Sequence, residues 1–397
     1  MWGSPPGGEC AVADDGQVVR LVDQILKKAV AERASDIHFE PKGDRLRLRF
    51  RVDGVLVEQP ALPPDFIPSV TSRLKVMASM DIAEKRVPQD GGLSYEATGQ
   101  RINIRASTFP TRDGEKVVLR LLAGTTAMTN LESLGIGPHE LPRIRELAGR
   151  SSGLVLVTGP TGSGKSSTLY SLLKTIDPNR VNVTTLEDPI EVRLPHITQG
   201  QTNPKAGFTF ARGLRAILRQ DPDVIMVGEM RDIETAQIAF QASLTGHLVF
   251  STLHTSSTVE TITRLLDMGL EPYIVASSLT AVLAQRLVRK LCRSCAEPWT
   301  PDDDLRHQLG FPLPPLNGPL YRPVGCAECS QTGYKGRTGI FELMVVDDAM
   351  RDLIKNRSTT VAMKALLAAL KLPTLRRDGV AKAIAGITAI DDVLRVT

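Results

Sequence analysis

The stretch of this 397-residue sequence that most limits its fold is GPTGSGKS, residues 159–166. It follows the apolar run Leu154–Val157, which predicts a buried strand, and it precedes SSTLYSLLKTI, which predicts a helix. A glycine-rich turn between a strand and a helix, ending in Lys-Ser, is the phosphate-binding pattern of P-loop nucleotidases. The alternative is a glycine-rich turn without a ligand, but the pattern and its context agree with each other.

The residue types of this loop predict how it binds ATP. Glycines let consecutive backbone N–H groups turn toward the phosphates, and the start of the following helix adds its positive end. We expect Lys165 to reach the β- and γ-phosphates and the Ser166 hydroxyl to bind magnesium. The predicted phosphate site comprises Gly159, Pro160, Thr161, Gly162, Ser163, Gly164, Lys165, Ser166 and Ser167.

Two carboxylates follow neighbouring predicted strands. The run VIMV leads into Gly228-Glu229, where most P-loop nucleotidases place an aspartate before the glutamate. Because ligands of open α/β sheets bind at the carboxyl ends of strands, Glu229 can orient or deprotonate the attacking water, or hold magnesium through water. Glu187 ends the strand TTLE and is expected to supply the carboxylate that Gly228 lacks. The alternative, a solvated loop carboxylate, suits Glu191 better than Glu187 or Glu229.

Two histidines flank a further predicted strand, LVFSTL, with His247 at its start and His254 at its end. A polar residue at the end of a strand can sense the γ-phosphate. A lone histidine is more often a structural hydrogen-bonding residue, so both interpretations of His254 stay open from residue type and position.

Hydrophobic periodicity divides the chain into successive regions. Residues 1–16 are rich in Gly, Pro and Ala without periodicity and predict a flexible start. Residues 17–128 combine a helix, the alternating strand LRLRFRV and further strands, which predicts a small α+β domain. Residues 129–288 alternate helices with continuously apolar strands, which predicts a mainly parallel sheet with helices on both faces.

The sheet is expected to end near residue 288, and two cysteine pairs follow within residues 289–335. Two CxxC hooks can close a tetrahedral thiolate site on zinc, and four thiolates leave no open position, so the zinc would be structural. The alternatives are four ordinary thiols or a redox pair. Residues 336–397 are predicted to form a helical segment. The four expected zinc ligands are Cys292, Cys295, Cys326 and Cys329, whereas Cys10 is assigned no role.

Composition limits the function classes. The 48 basic and 44 acidic residues are mixed along the chain, and only 4% of residues are aromatic, which argues against a nucleic-acid binder. No apolar run is long enough to span a bilayer, and the N-terminus has no signal-peptide pattern. We therefore expect a cytoplasmic protein, and the five cysteines fit a reducing compartment.

Several segments resemble the ATPases that drive type II secretion and type IV pilus assembly. GPTGSGKSSTLYSLL, TLEDPIEV, LRQDPDVIMVGEMRDIETA and TGHLVFSTLHT look like their Walker A, Asp box, Walker B and His box. The resemblance runs from about residue 17 to the C-terminus, with SDIHFEP and TGYKGRTGIFELM among its other motifs. The likeness is greatest to the GspE family of type II secretion, with PilB-type pilus-assembly ATPases as the near alternative.

The resemblance implies a PAS-like α+β domain, a RecA-like P-loop NTPase domain, a zinc-binding lobe and C-terminal helices. It implies Glu229 as catalytic carboxylate, Glu187 as its helper near magnesium, and His247 with His254 as the His-box pair. It also implies a homo-hexamer in which Arg105 and Arg120 meet the nucleotide. The implied partners are GspL-like and GspF-like inner-membrane platform proteins, which would place the chain at the inner membrane through contacts with them. The family's usual N-terminal docking domain has little room in this chain, so we expect a truncated form.

Two other functions are possible alternatives to a secretion ATPase that acts as a motor. A hexameric nucleic-acid motor shares the P-loop core, and stimulation of the ATPase by single-stranded DNA would support it. A nucleotide-switched binding protein would bind ATP tightly and hydrolyse it very slowly.

Overall fold

The protein is described by a computed structural model that covers residues 15–97, 100–122, 130–300 and 319–397. The chain divides into two units, Met1–Thr126 and Ala127–Thr397. Three parts of the predicted organisation lie outside the described residues. They are residues 1–14 of the expected flexible start, with Cys10, the expected domain boundary near residue 128, and residues 301–318 between the cysteine pairs.

The first unit is an antiparallel six-stranded sheet with two helices, in the strand order β3-β2-β1-β6-β5-β4. Its helices are α1 (Asp15–Ala31) and α2 (Phe66–Met77), and its strands are β1 (Asp36–Lys42), β2 (Arg45–Val52), β3 (Val55–Leu62), β4 (Gln89–Ala97), β5 (Gln100–Thr111) and β6 (Gly114–Leu122). A small α+β arrangement is therefore confirmed for this part of the chain.

Alternation along β2 sets the two faces of this sheet. Leu46, Leu48 and Phe50 are buried and share one core with apolar residues of both helices. The arginines between them lie on the opposite face, as the period-two pattern predicts. There Glu40 of β1 accepts hydrogen bonds from Arg49 at 2.7 and 2.9 Å. This face is therefore an ionic surface rather than a second core.

The second unit is a seven-stranded sheet in the order β15-β12-β7-β11-β10-β8-β9, with a separate two-stranded sheet of β13 and β14. The strands are β7 (Gly153–Thr158), β8 (Val183–Glu187), β9 (Thr198–Gln201), β10 (Val224–Val227), β11 (Leu248–Leu253), β12 (Leu279–Leu291), β13 (Glu297–Trp299), β14 (Leu320–Arg322) and β15 (Tyr334–Val345). The helices are α3 (Glu140–Ala148), α4 (Lys165–Leu173), α5 (Phe210–Ile217), α6 (Ile233–Leu244), α7 (Thr258–Asp267), α8 (Pro272–Ser278), α9 (Asp348–Lys355), α10 (Thr360–Ala369), α11 (Leu375–Ile384) and α12 (Ile390–Val396).

Most neighbouring strands of the seven-stranded sheet are parallel, and the pair β12–β15 is antiparallel. Its strands are buried because apolar clusters cover both faces. One cluster joins Leu156 and Ile225 to helices α5 to α8, and the other joins Val155 and Phe250 to α3 and α4. The mainly parallel, doubly covered sheet is thus confirmed.

The prediction that the sheet ends near residue 288 and that residues 336–397 are helical is wrong at one element. Tyr334–Val345 forms β15, the edge strand that pairs with β12 from Ala281↔Val345 to Leu291↔Tyr334. Local periodicity does not predict this strand, because Gly336 and Gly339 interrupt the apolar run and the pairing partner β12 lies far away in sequence. The remaining C-terminal elements are helices.

The last helices are fixed to this edge of the sheet by buried polar contacts. Asp392 of α12 accepts hydrogen bonds from the Arg289 backbone N–H at 2.7 Å and from its guanidinium at 2.7 and 2.9 Å. Asp378 of α11 accepts one from the backbone N–H of Phe341 at 2.8 Å. Strand β12 therefore links the sheet centre to the C-terminal helices and leads directly into the first cysteine pair.

Candidate functional site

The phosphate loop lies between the end of β7 and the start of α4. Gly159, Gly162 and Gly164 have φ angles of 154°, 79° and 88°, a region that favours glycine. A Cβ on Gly159 would come within 2.5 Å of both the Ser163 hydroxyl and the Gln285 carbonyl oxygen. Glycine is therefore required at this position by space as well as by conformation.

Two side chains of the loop fit an anionic ligand. The Ser163 hydroxyl is buried and has no hydrogen-bond partner among the described residues. The Lys165 ammonium group donates to the carbonyl oxygens of Gly159 at 2.8 Å and Pro160 at 3.1 Å. Burial lowers the pKa of Lys165, and the charge of Arg286 lowers it further, whereas Glu229 and Glu191 oppose the shift. Phosphate would give the Ser163 hydroxyl a partner and the Lys165 ammonium group a charged one, so the loop fits the phosphates of a nucleotide.

A buried amide supports the loop from strand β12. Gln285 is 1% exposed, and its Nε2 donates to the Ser163 carbonyl oxygen at 2.6 Å. Its Oε1 accepts from the Thr168 hydroxyl of α4 at 2.7 Å. One side chain thus ties the loop and the helix after it to the neighbouring strand.

Glu229 lies just beyond the end of β10, where its carboxylate contacts one arginine and one histidine. Its carboxylate is 2.5 Å from Arg231 and 3.3 Å from the His254 Nε2, and its side chain is 16% exposed. Burial raises the pKa of Glu229, but Arg231 and His254 outweigh this effect and hold it below its ordinary value. The carboxylate is therefore ionised at neutral pH.

Parallel pairing explains why Glu229 and His254 meet. Val227 of β10 is the register partner of Ser251 on β11, so both strands end at the same edge as the phosphate loop. The neighbour of Glu229, Gly228, has little room for a side chain, since a Cβ would lie 3.3 Å from the Leu186 carbonyl oxygen. An aspartate at this position would also bring a second carboxylate beside Glu187, whose Cα would be 3.5 Å from that Cβ.

Glu187 is buried in a hydrogen-bond network of its own. Tyr170 and Thr185 donate to its carboxylate through their hydroxyls, the latter at 2.6 Å, and Gln199 donates at 3.0 Å. It lies at the end of β8 on the same edge as Glu229, but the contacts of Glu229 are with other residues. Burial, followed by hydrogen bonding to Glu187, raises the pKa of Tyr170, which keeps this phenol a donor.

The structure does not bring His247 to this edge. His247 lies before β11 and His254 after it, so the length of the strand, about 20 Å, separates them. The His247 Nδ1 is 2.9 Å from the Ala242 carbonyl oxygen at the end of α6. This geometry fits a structural histidine, and within one chain the two histidines are not in contact.

Arg105 and Arg120 are neighbours in the first unit. They are register partners on β5 and β6, and both side chains are exposed. The Arg120 Nε is 3.0 Å from a carboxylate oxygen of Asp36, which is buried. The pair forms a cationic site on the ionic face of the first sheet.

The four predicted cysteines converge. Their sulfur atoms all lie within 4.8 Å of one another, with Cys292–Cys326 at 3.9 Å, Cys295–Cys329 at 3.8 Å and Cys326–Cys329 at 3.7 Å. Four sulfurs about 2.3 Å from a tetrahedral zinc are about 3.8 Å apart. The cluster therefore has the donor chemistry and the spacing of a structural zinc site.

Backbone donors stabilise the thiolate form of Cys329 in this cluster. Cys326 and Gly333 donate N–H groups to the Cys329 sulfur at 3.1 and 3.2 Å, and Gly325 donates to the Cys295 sulfur at 3.3 Å. Burial raises the pKa of Cys329, but the N–H groups of Cys326 and Gly333 and the neighbouring thiols bring it to about 6. Burial and the neighbouring thiols raise the pKa of Cys295 to about 11, so Cys329 is the thiolate of this pair. A thiolate is the form that binds metal.

Sequence reasoning missed the residues that support the site. Gln285 lies inside an apolar run and carries no local signal, because its partners are more than a hundred residues away. Arg231 stands two residues after Glu229 in the sequence. A cation so close to a predicted catalytic carboxylate could have indicated their ion pair. Glu191 is exposed, as its sequence position predicts, and its charge raises the pKa of Lys165.

Within the described residues, no helix combines the length and the apolar character needed to cross a membrane.

Comparison with known proteins identifies similar sequences along nearly the whole chain. The profile of the family described as type II/IV secretion system protein matches residues 11–395. The chain is 51% identical to type II secretion system ATPase E of Vibrio cholerae serotype O1, over 97% of this chain and 76% of the relative. It is 45% identical to the type IV pilus assembly ATPase PilB of Thermus thermophilus, over 97% of this chain and 43% of the relative.

A solved structure has a similar fold. The crystal structure of the pilus retraction motor PilT with bound ADP aligns with a TM-score of 0.62 and 27% identity, covering 94% of this chain and 96% of PilT.

Proposed function

The chain belongs to the type II/IV secretion system protein family, and from this premise we propose that it is the ATPase that powers a type II secretion system. The observation that carries the proposal is the ionised Glu229 beside His254, at the sheet edge that also bears the phosphate loop. The relatives support it, since the type II secretion ATPase matches at higher identity and over more of its length than PilB does.

The reaction is the hydrolysis of ATP to ADP and phosphate. Backbone N–H groups of the loop, the Ser163 hydroxyl and the Lys165 ammonium group would bind the phosphates, and the Ser166 hydroxyl would hold magnesium. Magnesium neutralises charge on the phosphates when it is bound. Glu229 accepts a proton from the attacking water or orients it, a role that its depressed pKa permits at neutral pH. Ser167 completes the loop at the helix start.

His254 and Glu187 have supporting roles in this proposal. The imidazole of His254 contacts Glu229, so it senses the γ-phosphate through the catalytic carboxylate. Glu187 is held by three donors, and a Cβ on Gly228 would lie 3.5 Å from its Cα. From that position Glu187 would help to hold magnesium. The position of His247 gives it no part in the reaction within its own chain.

We further propose that the working assembly is a hexamer in which Arg105 and Arg120 meet the nucleotide. Both side chains are exposed and adjacent, so they can stabilise the charge of the transferred phosphoryl group from another domain or subunit. ATP hydrolysis in the hexamer would then pass motion to inner-membrane platform proteins of the GspL and GspF kinds. The enzyme would work at the cytoplasmic face of the inner membrane and extend a pseudopilus.

The four cysteines hold a structural zinc ion in this proposal. Their spacing and the N–H donors to sulfur support it, and a four-thiolate site leaves no position for a substrate. Zinc would stabilise the lobe that follows β12.

Turnover measured together with assembly tests the proposal. ATP hydrolysis should rise when the chain is assembled into hexamers, and Arg105→Ala or Arg120→Ala should lower hydrolysis in the hexamer by about 100-fold or more. Arg112→Ala, an exposed arginine of the same unit, is the matched control. Monomers that hydrolyse ATP as fast as hexamers would refute the role of these arginines.

A further inference from the structure

Arg286 is a buried arginine on β12 that the catalytic scheme leaves without a role. The residue is 9% exposed. Its Nη1 donates to the Gln285 carbonyl oxygen at 2.9 Å, and its Nη2 donates to the Ser256 carbonyl oxygen at 2.8 Å. Both acceptors are neutral backbone groups, so these bonds leave the charge uncompensated.

No carboxylate of the described chain lies within 4 Å of this guanidinium. Another arginine of the same strand shows the contrast, since Arg289 is 2.7 Å from Asp392. Glu260 and Glu342 act on Arg286 only at longer range, and each accepts closer hydrogen bonds from the segment that contains Ser256 and Thr258. A buried cation without a close counter-ion is costly, so the position favours an anionic ligand.

Strand register places Arg286 beside the phosphate loop. Ala284 of β12 pairs with Thr158 at the end of β7, so the following residues run alongside the loop. The charge of Arg286 is close enough to add to the lowering of the Lys165 pKa. Lys165 also donates only to backbone carbonyl oxygens within the described structure. Lys165 and Arg286 are therefore two cations near the same loop, and neither has a carboxylate within 4 Å among the described residues.

The second contact of Arg286 leads to the proposed sensor. Ser256 follows His254 by two residues, and the Arg286 guanidinium holds its carbonyl oxygen. A change at Arg286 thus acts on the segment whose histidine contacts Glu229.

We propose that Arg286 is a second phosphate-binding cation of the nucleotide site, and that it links the phosphates to the segment carrying His254. An arginine has five N–H donors, so the two carbonyl bonds leave donors for phosphate oxygens. Hydrogen bonds between charged groups are stronger than those to neutral carbonyls, which favours phosphate as the missing partner. The inference rests on the proposed binding of ATP at the phosphate loop.

The test compares ligands that differ in their phosphates. ATP, ADP and tripolyphosphate are titrated into the wild type, Arg286→Gln, Arg286→Lys and the control Arg150→Gln, an exposed arginine of the same unit. Loss of a charged hydrogen bond corresponds to about 10- to 100-fold in affinity. We expect Arg286→Gln to weaken ATP and tripolyphosphate by this factor, Arg286→Lys to recover part of the loss, and the control to bind like the wild type.

The possible results separate this inference from the proposed function. If Arg286 has only a structural role, Arg286→Gln and Arg286→Lys should lose stability alike and keep wild-type affinity for tripolyphosphate. This result would overturn the inference. If Lys165→Ala also binds tripolyphosphate normally, the proposed nucleotide site itself is wrong. If Arg286→Gln does not fold, the test rests on Arg286→Lys. If the Arg286 guanidinium contacts phosphate, Arg286→Lys should lower the affinity for ATP by about three- to tenfold. An unchanged affinity of Arg286→Lys for ATP would refute the inference.

Discussion

Gln285 offers a sharp test of how the phosphate loop is held. Replacing it by methionine keeps a similar volume but removes both hydrogen bonds, to the Ser163 carbonyl oxygen at 2.6 Å and from the Thr168 hydroxyl at 2.7 Å. Both bonds are buried. Each buried partner left without its bond costs about 1–2 kcal/mol, so we expect Gln285→Met to lower the free energy of unfolding by about 2–4 kcal/mol.

The effect should extend to nucleotide binding, because Ser163 belongs to the phosphate loop. If the substitution disfavours the ATP-binding conformation of the loop by about 1.4 kcal/mol, the Kd for ATP rises about tenfold. Urea unfolding followed by circular dichroism gives the stability, and titration with ATP gives the affinity. Gln241→Met, at an exposed position of α6, is the matched control for the substitution itself.

A double-mutant cycle isolates the bond to α4. Adding Thr168→Val to Gln285→Met removes the hydroxyl that the first change leaves unpaired, so the second change should cost less than it does in the wild type. The reasoning is refuted if Gln285→Met unfolds and binds ATP like the wild type, or if the two changes are additive.

Three further predictions concern the rest of the chain. Asp392→Ala should lower the free energy of unfolding by about 2–3 kcal/mol because it leaves the half-buried Arg289 guanidinium without its carboxylate partner. Chemical denaturation should show Asp391→Ala, at an exposed position, to be nearly neutral. The zinc content measured by atomic absorption should fall from about one ion per chain in the wild type to near zero in Cys329→Ser. The control Cys10→Ser should keep its zinc. Equal zinc content in the two variants would exclude the cysteine cluster as the zinc site. Burial raises the pKa of Glu40, but Arg49 and Lys116 bring it to about 2, so the stability it contributes is present above its ordinary pKa and is lost as the pH falls toward 2. The difference in unfolding free energy between the wild type and Glu40→Gln should therefore shrink from neutral pH to about pH 3, and a constant difference would contradict this.

Local patterns in the sequence predicted the parts of the fold and site that depend on neighbours in the chain. The phosphate loop needs a strand, glycines and a helix in succession, and Gly159 and Lys165 carry that pattern without help from distant residues. The ends of apolar strands likewise pointed to Glu229 and His254, because parallel strands bring their carboxyl ends to one edge.

Contacts between distant segments explain what the sequence did not predict. The strand Tyr334–Val345 exists because it pairs with β12, some fifty residues earlier along the chain. Gln285 and Arg286 stand inside an apolar run, and their roles follow only from partners on other elements. His247 was predicted to act with His254, but strand direction puts the two at opposite ends of β11.

The most direct test of the account is steady-state ATP hydrolysis by Glu229→Gln, measured beside ATP binding and with Lys165→Ala as the variant that should lose binding. The glutamine keeps the shape and the contacts near His254 but cannot accept a proton from water. We predict an ATP affinity close to that of the wild type and turnover lowered by about 100-fold or more. Turnover equal to that of the wild type would contradict the assignment of Glu229 and place the catalytic carboxylate elsewhere on the same sheet edge.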